Sequence, residues 1–268
     1  MDKISVFLAD WQVLFREGIH FTLSGEEDFE VIGEATNSED ALNFIQTNPP
    51  KVAVLNTNHK ERDGGIKVSR HLKRNLPSVA VILIMDSYDE EQLLSVLKSG
   101  ASACLTKDVD PDELINTIRT VAQGNKPIDD ELLRPEMASR VLGEFEEFAS
   151  MNEQLENLMA SLTPGETELL HQISDGSSIE QICQSLNISE EYISGSFGFI
   201  VNKLVLNDHL REVIEAAHKD LLSLIFRSRV AGQPPADYVT KGEFSAFKDS
   251  LAERFKSFIS EIEKSGTS

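Results

Sequence analysis

Five short apolar runs, each followed by a stretch of helical periodicity, constrain the fold of this chain more than any other feature of its sequence. The runs fall at residues 4–10, 29–35, 52–56, 79–85 and 103–106, and the helical patterns at 13–24, 38–47, 65–75, 90–99 and 111–123. Strands that are apolar almost throughout are buried on both faces, and parallel neighbours need a crossover between them. The alternation therefore predicts an α/β domain over residues 1–124, a five-stranded parallel, doubly wound sheet. In such sheets the functional crevice opens at the carboxyl ends of the strands. Those ends carry Asp10-Trp11, Asn56, Asp86 and Lys107.

A chain of 268 residues has room for a second domain. Hydrophobic residues at 40% and charged residues at 26% describe a globular chain rather than a disordered one. No run reaches the ~18–20 apolar residues of a membrane span, and no secretory leader is expected. Cys104 and Cys183 sit in apolar runs without metal-ligand spacing, which reads as buried free thiols in a reducing cytoplasm. The six histidines show no triad or metal spacing and no carboxylate pair has a catalytic context, so no enzyme, cofactor or metal is expected. The formal net charge of -20 opposes both nucleic acid and anionic membranes.

Leu8-Ala9-Asp10, Arg16-Glu17-Gly18, the run from Val31 to Ala35, Asp63-Gly64, Gly100-Ala101-Ser102 and Lys107-Asp108 occur in order along the first domain. In these motifs the domain resembles the receiver of bacterial response regulators of the NarL/FixJ type. The resemblance implies a site in which two adjacent acids after the first strand hold Mg²⁺ and an aspartate ending the third strand takes a phosphoryl group. It also implies a Thr or Ser after the fourth strand and a Lys after the fifth. Of that set only Asp10 and Lys107 are kept. Trp11 replaces the second acid, Asn56 the phosphoacceptor, Asp86 the hydroxyl residue and Cys104 the usual aromatic, while Lys60 replaces a loop proline.

The replacements change the chemistry. An amide has no anionic oxygen with which to form an acyl phosphate. Asp10 alone beside an indole is a poor Mg²⁺ site. A carboxylate at Asp86 repels phosphate. The expectation is a pseudo-receiver that is not phosphorylated, with two arrangements open for Asp86: paired to Lys107 through a bridging Asn56 amide, or facing solvent.

Residues 125–161 read as a helical, acidic linker. Phe145, Phe148, Asn152, Leu155, Met159 and Leu162 are spaced either for a short dimeric coiled coil or for a helix packed on its own receiver. From Leu162 the run Leu-Thr-Pro-Gly-Glu, Asp175-Gly176, Ile179-Glu180-Gln181-Ile182 and Leu186-Asn187-Ile188-Ser189 resemble a LuxR-type helix-turn-helix, assigned to 162–228. Its outward recognition face is remodelled. Where the family places Lys, Thr, Lys and His, this chain has Glu191, Tyr192, Ser194 and Ser196, with Asn202 for a usual Arg. Between residues 162 and 212 eight acids face two bases, Lys203 and Arg211, the reverse of a DNA-binding surface. Phe197 is expected in the core, and Phe199 at a protein contact.

Residues 229–239, with Gly232 and Pro234-Pro235, read as a flexible linker. Thr240 and Glu243 form a capping-box pattern for a helix over 240–264. Phe244, Phe247, Leu251, Phe255, Phe258, Ile259 and Ile262 share one face of that helix, with mixed charges opposite. The stripe suits docking to another chain better than self-packing or a membrane. The fold class is thus a receiver-like α/β sheet, an all-α helix-turn-helix domain and a terminal amphipathic helix. Two functional readings remain. One is a cytoplasmic adaptor or structural subunit acting through another protein, with homodimerisation open. The other is a transcription regulator that binds DNA without receiver phosphorylation.

Overall fold

The computed structural model describes residues 3–58, 63–150 and 159–230. β1 (Ile4–Ala9), β2 (Phe29–Ala35), β3 (Val52–Asn56), β4 (Ala80–Met85) and β5 (Ala103–Thr106) alternate with α1 (Val13–Ser24), α2 (Ser38–Thr47), α3 (Gly64–Asn75), α4 (Glu90–Lys98) and α5 (Pro111–Ala122). The sheet is parallel throughout, in the order β2-β1-β3-β4-β5. β3 is buried along its whole length, apolar from Val52 to Leu55 and ending in the buried polar Asn56.

Local chemistry sets the helix starts. Asn37, Asp89 and Asp110 each accept a backbone N–H of the helix they cap, and Pro111 occupies the first turn of α5. Alternate strand residues feed two cores. Val6, Leu8, Val54 and Ile82 pack beneath α1 and α5. Phe7, Leu55 and Leu83 belong to a second core on the opposite face, with Val96 and Leu97 of α4.

That second core extends beyond the receiver. Residues 125–161, expected as a linker, carry a 3-10 helix at Pro127–Leu133 and α6 at Pro135–Ser150. Ile128, Leu132, Met137, Val141 and Leu142 enter the core, because their apolar side chains recur at helical spacing beneath the acidic surface. Phe145 and Phe148 are buried within the chain, which favours the packed helix over the coiled-coil seam for that stretch. Asn152 and Leu155 lie outside the described residues. Lys98 of α4 pairs with Glu144 of α6 at 2.5 Å, and Arg140 of α6 reaches Glu90 of α4 at 3.1 Å.

α7 (Pro164–Ser174), α8 (Ile179–Leu186) and α9 (Glu190–Val230) follow. Leu170, Ile173, Ile182, Ile193, Phe197 and Ile200 join the same core. Contacts divide the chain into one compact unit, Met1–Leu206, and a second, Asn207–Ser268, whose described part continues α9. The helix includes residues 229 and 230, the first two of the expected linker at 229–239; the rest of that stretch lies outside the described residues. The Phe-rich stripe from Phe244 to Ile262 lies outside the described residues.

Candidate functional site

The carboxyl ends of β1, β3, β4 and β5 bring Asp10, Asn56, Asp86 and Lys107 into one cluster. Asn56 Nδ2 donates to Asp10 Oδ2 at 2.9 Å and to Asp86 Oδ1 at 3.2 Å. Its Oδ1 accepts the Asn58 backbone N–H at 2.7 Å. Lys107 Nζ lies 2.6 Å from Asp86 Oδ1 and 3.4 Å from Asp10 Oδ2. Of the two arrangements open for Asp86, the structure has the pair with the bridging amide, and Asp10 joins it.

Asp10 and Asn56 are almost wholly buried, whereas the Asp86 side chain keeps 44% exposure. Partial burial works to raise the Asp86 carboxyl. Hydrogen bonds from Lys107 and then Asn56 outweigh it and hold the group below the ordinary carboxylate range. Lys107 also lies 5.9 Å from the Trp11 ring centroid and 5.2 Å from that of Phe15, within cation–π reach.

Neighbouring groups hold the cluster in place. The Gln12 backbone N–H donates to Asp10 Oδ1 at 2.7 Å, and Arg16 donates to the Asp10 carbonyl at 2.8 Å. Arg16 is itself fixed by Glu34 at 2.7 Å. Thr57 donates to Gln92 of α4 at 3.2 Å. Gly65 packs its backbone against the end of β3, where an added Cβ would stand 1.9 Å from the Asn56 carbonyl oxygen. Arg16 lay within a family motif; Phe15, Thr57 and Gln92 carried no sequence signal, since their partners are distant in sequence, and Gln12, two residues from Asp10, contributes only its backbone N–H.

Chemically the cluster is closed. Both amide hydrogens of Asn56 and its oxygen are used, and the amide offers no nucleophile. Mg²⁺ requires near-octahedral oxygen coordination. Here the Asp10 oxygens already accept N–H donors, and an ammonium stands beside both carboxylates, so the residues do not fit that ion. Among the described residues no group of three or more His, Cys, Asp or Glu is arranged for a metal. Lys60 lies outside the described residues.

On α9, Glu191, Tyr192, Ser194, Phe199 and Asn202 are exposed. Tyr192 and Phe199 keep 60% and 67% of their surface, two turns apart on one face, while Phe197 is in the core. Ser196 departs from the expected outward position. It is 7% exposed and its hydroxyl donates to the Tyr192 carbonyl at 2.8 Å, because position 196 falls on the side of the helix that carries Ile193 and Ile200. Lys203 pairs with Glu166 of α7 at 2.6 Å. Gly198 faces the 3-10 helix, where an added Cβ would lie 3.3 Å from Asp129 Oδ2. No described helix is long and apolar enough to cross a membrane.

Residues 6–119 match the response regulator receiver domain model. The chain is 29% identical over 226 residues to the transcriptional regulatory protein DegU of Brevibacillus brevis, covering 80% of this chain and 93% of that protein. It is 24% identical to the oxygen regulatory protein NreC of Staphylococcus carnosus, covering 82% and 99%. Among solved structures it is similar to the signal receiver domain of NarL from Mycobacterium tuberculosis, with 29% identity and a TM-score of 0.45, over 47% of this chain and all of that one.

Proposed function

We propose that this chain, which carries a response regulator receiver domain and is homologous to transcriptional response regulators of the NarL and LuxR type, regulates transcription without receiver phosphorylation. Of the two classes left open by the sequence, the relatives favour the transcriptional one, and they are regulators rather than enzymes. The observation that carries the phosphorylation-independent half is the Lys107–Asp86 pair, bridged by an Asn56 amide with no free hydrogen-bonding group. A receiver whose cation and acceptor positions are both filled from within has no state to which phosphate can drive it.

The test is crosslinking and immunoprecipitation of the full chain from its host, with sequencing of the recovered DNA. Discrete loci should be enriched, and equally so for the wild type and Asp10→Asn. In parallel, the fluorescence of Trp11, the one tryptophan of the chain, should not respond to Mg²⁺ with beryllofluoride. Absence of discrete loci sinks the transcriptional reading, and a fluorescence change sinks phosphorylation independence.

A second reading concerns how the chain meets DNA. Tyr192 and Phe199 are exposed on the first turns of α9, where Glu190 and Glu191 face one base, Lys203, that is already paired, which supports a protein contact at this face in place of groove reading. The partner would supply the positive charge. Tyr192→Ser with Phe199→Ser should then reduce locus enrichment in vivo while leaving the purified protein folded. Direct, salt-dependent binding of the purified chain to the recovered loci would count against it.

A further inference from the structure

The 3-10 helix Pro127–Leu133 and Arg134 behind it cover a cavity of about 370 Å³ between α4, β5 and α5. None of Asp10, Asn56, Asp86 or Lys107 lines it. Its accessible apolar wall is made by Tyr88, Cys104, Leu105 and Val109, with the almost wholly buried Met85 and Leu93 behind them. Three carboxylates line it, Asp108, Glu113 and Glu131, against one cation, Arg134. That cation is already engaged: Arg134 Nε lies 2.7 Å from Glu131 Oε2, and its guanidinium sits 5.0 Å over the Tyr88 ring.

We propose that this cavity binds a small aromatic cation, and that the 3-10 helix relays the binding to α9. The volume lies in the range of small-molecule sites, which runs from ~300 to ~1,000 Å³. A ring suits the wall of Tyr88, Leu105 and Val109, beside which the small Cys104 side chain leaves room. Charge selects the rest of the ligand. A cleft lined mainly by one sign of charge concentrates the opposite sign, and an anion would meet three carboxylates and a guanidinium that is not free.

The relay is short. Glu131 lines the cavity, and two residues earlier Asp129 lies against Gly198 of α9. Ile128 and Leu132 anchor this turn in the core, while Asp129 Oδ1, on the side towards α9, is buried without a hydrogen-bond partner. A ligand that moves the 3-10 helix therefore acts on α9 directly. This second half rests on the reading of α9 as the output helix; the binding half does not.

The full chain is titrated by calorimetry and thermal shift with benzamidine, its neutral isostere benzamide and the anion benzoate. Benzamidine should bind at least about tenfold more tightly than benzamide, the scale of a charge-assisted hydrogen bond, and benzoate should give no shift. Asp108→Asn with Glu113→Gln, both exposed positions, should weaken benzamidine at least about fivefold and leave the fold intact. Cys104→Phe should fill the cavity and abolish binding; if that variant does not fold, the paired variant decides. No benzamidine binding, or equal binding of benzamide or benzoate, overturns the site. Hydrogen exchange across residues 190–204 should change when benzamidine binds. Binding with unchanged exchange overturns the relay alone. Loss of discrete genomic loci would instead strike the transcriptional reading and leave the site standing.

Discussion

Lys203 of α9 and Glu166 of α7 form an ion pair, Nζ to Oε2, at 2.6 Å. The same Oε2 accepts the Thr163 backbone N–H at 2.6 Å, while the Thr163 hydroxyl accepts the Glu166 N–H at 3.2 Å. One carboxylate thus closes a capping box and anchors the only basic residue between positions 190 and 204.

Stability should follow the charge of Glu166. Burial works to raise its carboxyl, but hydrogen bonds from Lys203 and Thr163 outweigh it and hold the group below its ordinary 4.5. A carboxyl depressed by folding gives stability that is fully present above the unfolded pKa and is lost as pH falls through the folded one. Glu166→Gln should therefore be less stable than the wild type by about 0.5–1 kcal/mol at pH 7. Urea unfolding curves of the two should converge below the carboxylate range.

Restoring an acid at the third strand should harm the fold rather than revive the reaction. In Asn56→Asp a third carboxylate would stand beside Asp10 and Asp86, with Lys107 as the shared cation. The expected cost is about 1–3 kcal/mol at pH 7. Like charges raise a carboxyl pKa, so the loss should shrink as pH is lowered. Denaturant midpoints at pH 7 and pH 5 would show this, and incubation with acetyl phosphate should leave the mass unchanged.

The glycines of α9 should respond differently to substitution. An added Cβ at Gly195 meets open space, so Gly195→Ala should stabilise by about 1 kcal/mol through helix propensity. At Gly198 the same gain is opposed by Asp129 Oδ2 at 3.3 Å, and Gly198→Leu should lose about 1–3 kcal/mol by overpacking. Thermal unfolding should rank Gly195→Ala above the wild type and Gly198→Leu below it.

Cys104 should be chemically quiet. Burial, and then Glu131, push its thiol up to about 12. Alkylation requires the thiolate. Iodoacetamide at pH 8 should therefore modify Cys104 only after unfolding, as peptide mass mapping with and without urea would show.

The sheet was legible because five apolar runs and five helical periods leave one economical architecture. The cluster was legible for the same reason: each of its residues ends a strand, so topology alone brings them together. The Asp86–Lys107 pair was one of two arrangements that opposite charges at neighbouring strand ends left open. The second role of Asn56, donating to Asp10, was not legible, because it depends on an amide rotamer. The segment 125–161 was harder to read. Its spacing left open a dimer seam or a helix on its own receiver, and the inward face of Ile128, Leu132, Met137 and Val141 becomes visible only against the core it joins. Ser196 was misplaced because family positions were carried over without following the helical phase set by Ile193 and Ile200.

The contact between Gly65 and the Asn56 carbonyl separates two constraints that meet at one residue. The side chain of position 56 determined whether a reaction was possible; its main chain determines where α3 begins. An exchange of the side chain at 56 therefore changes the chemistry of the cluster, while the start of α3 depends on Gly65 staying without a side chain.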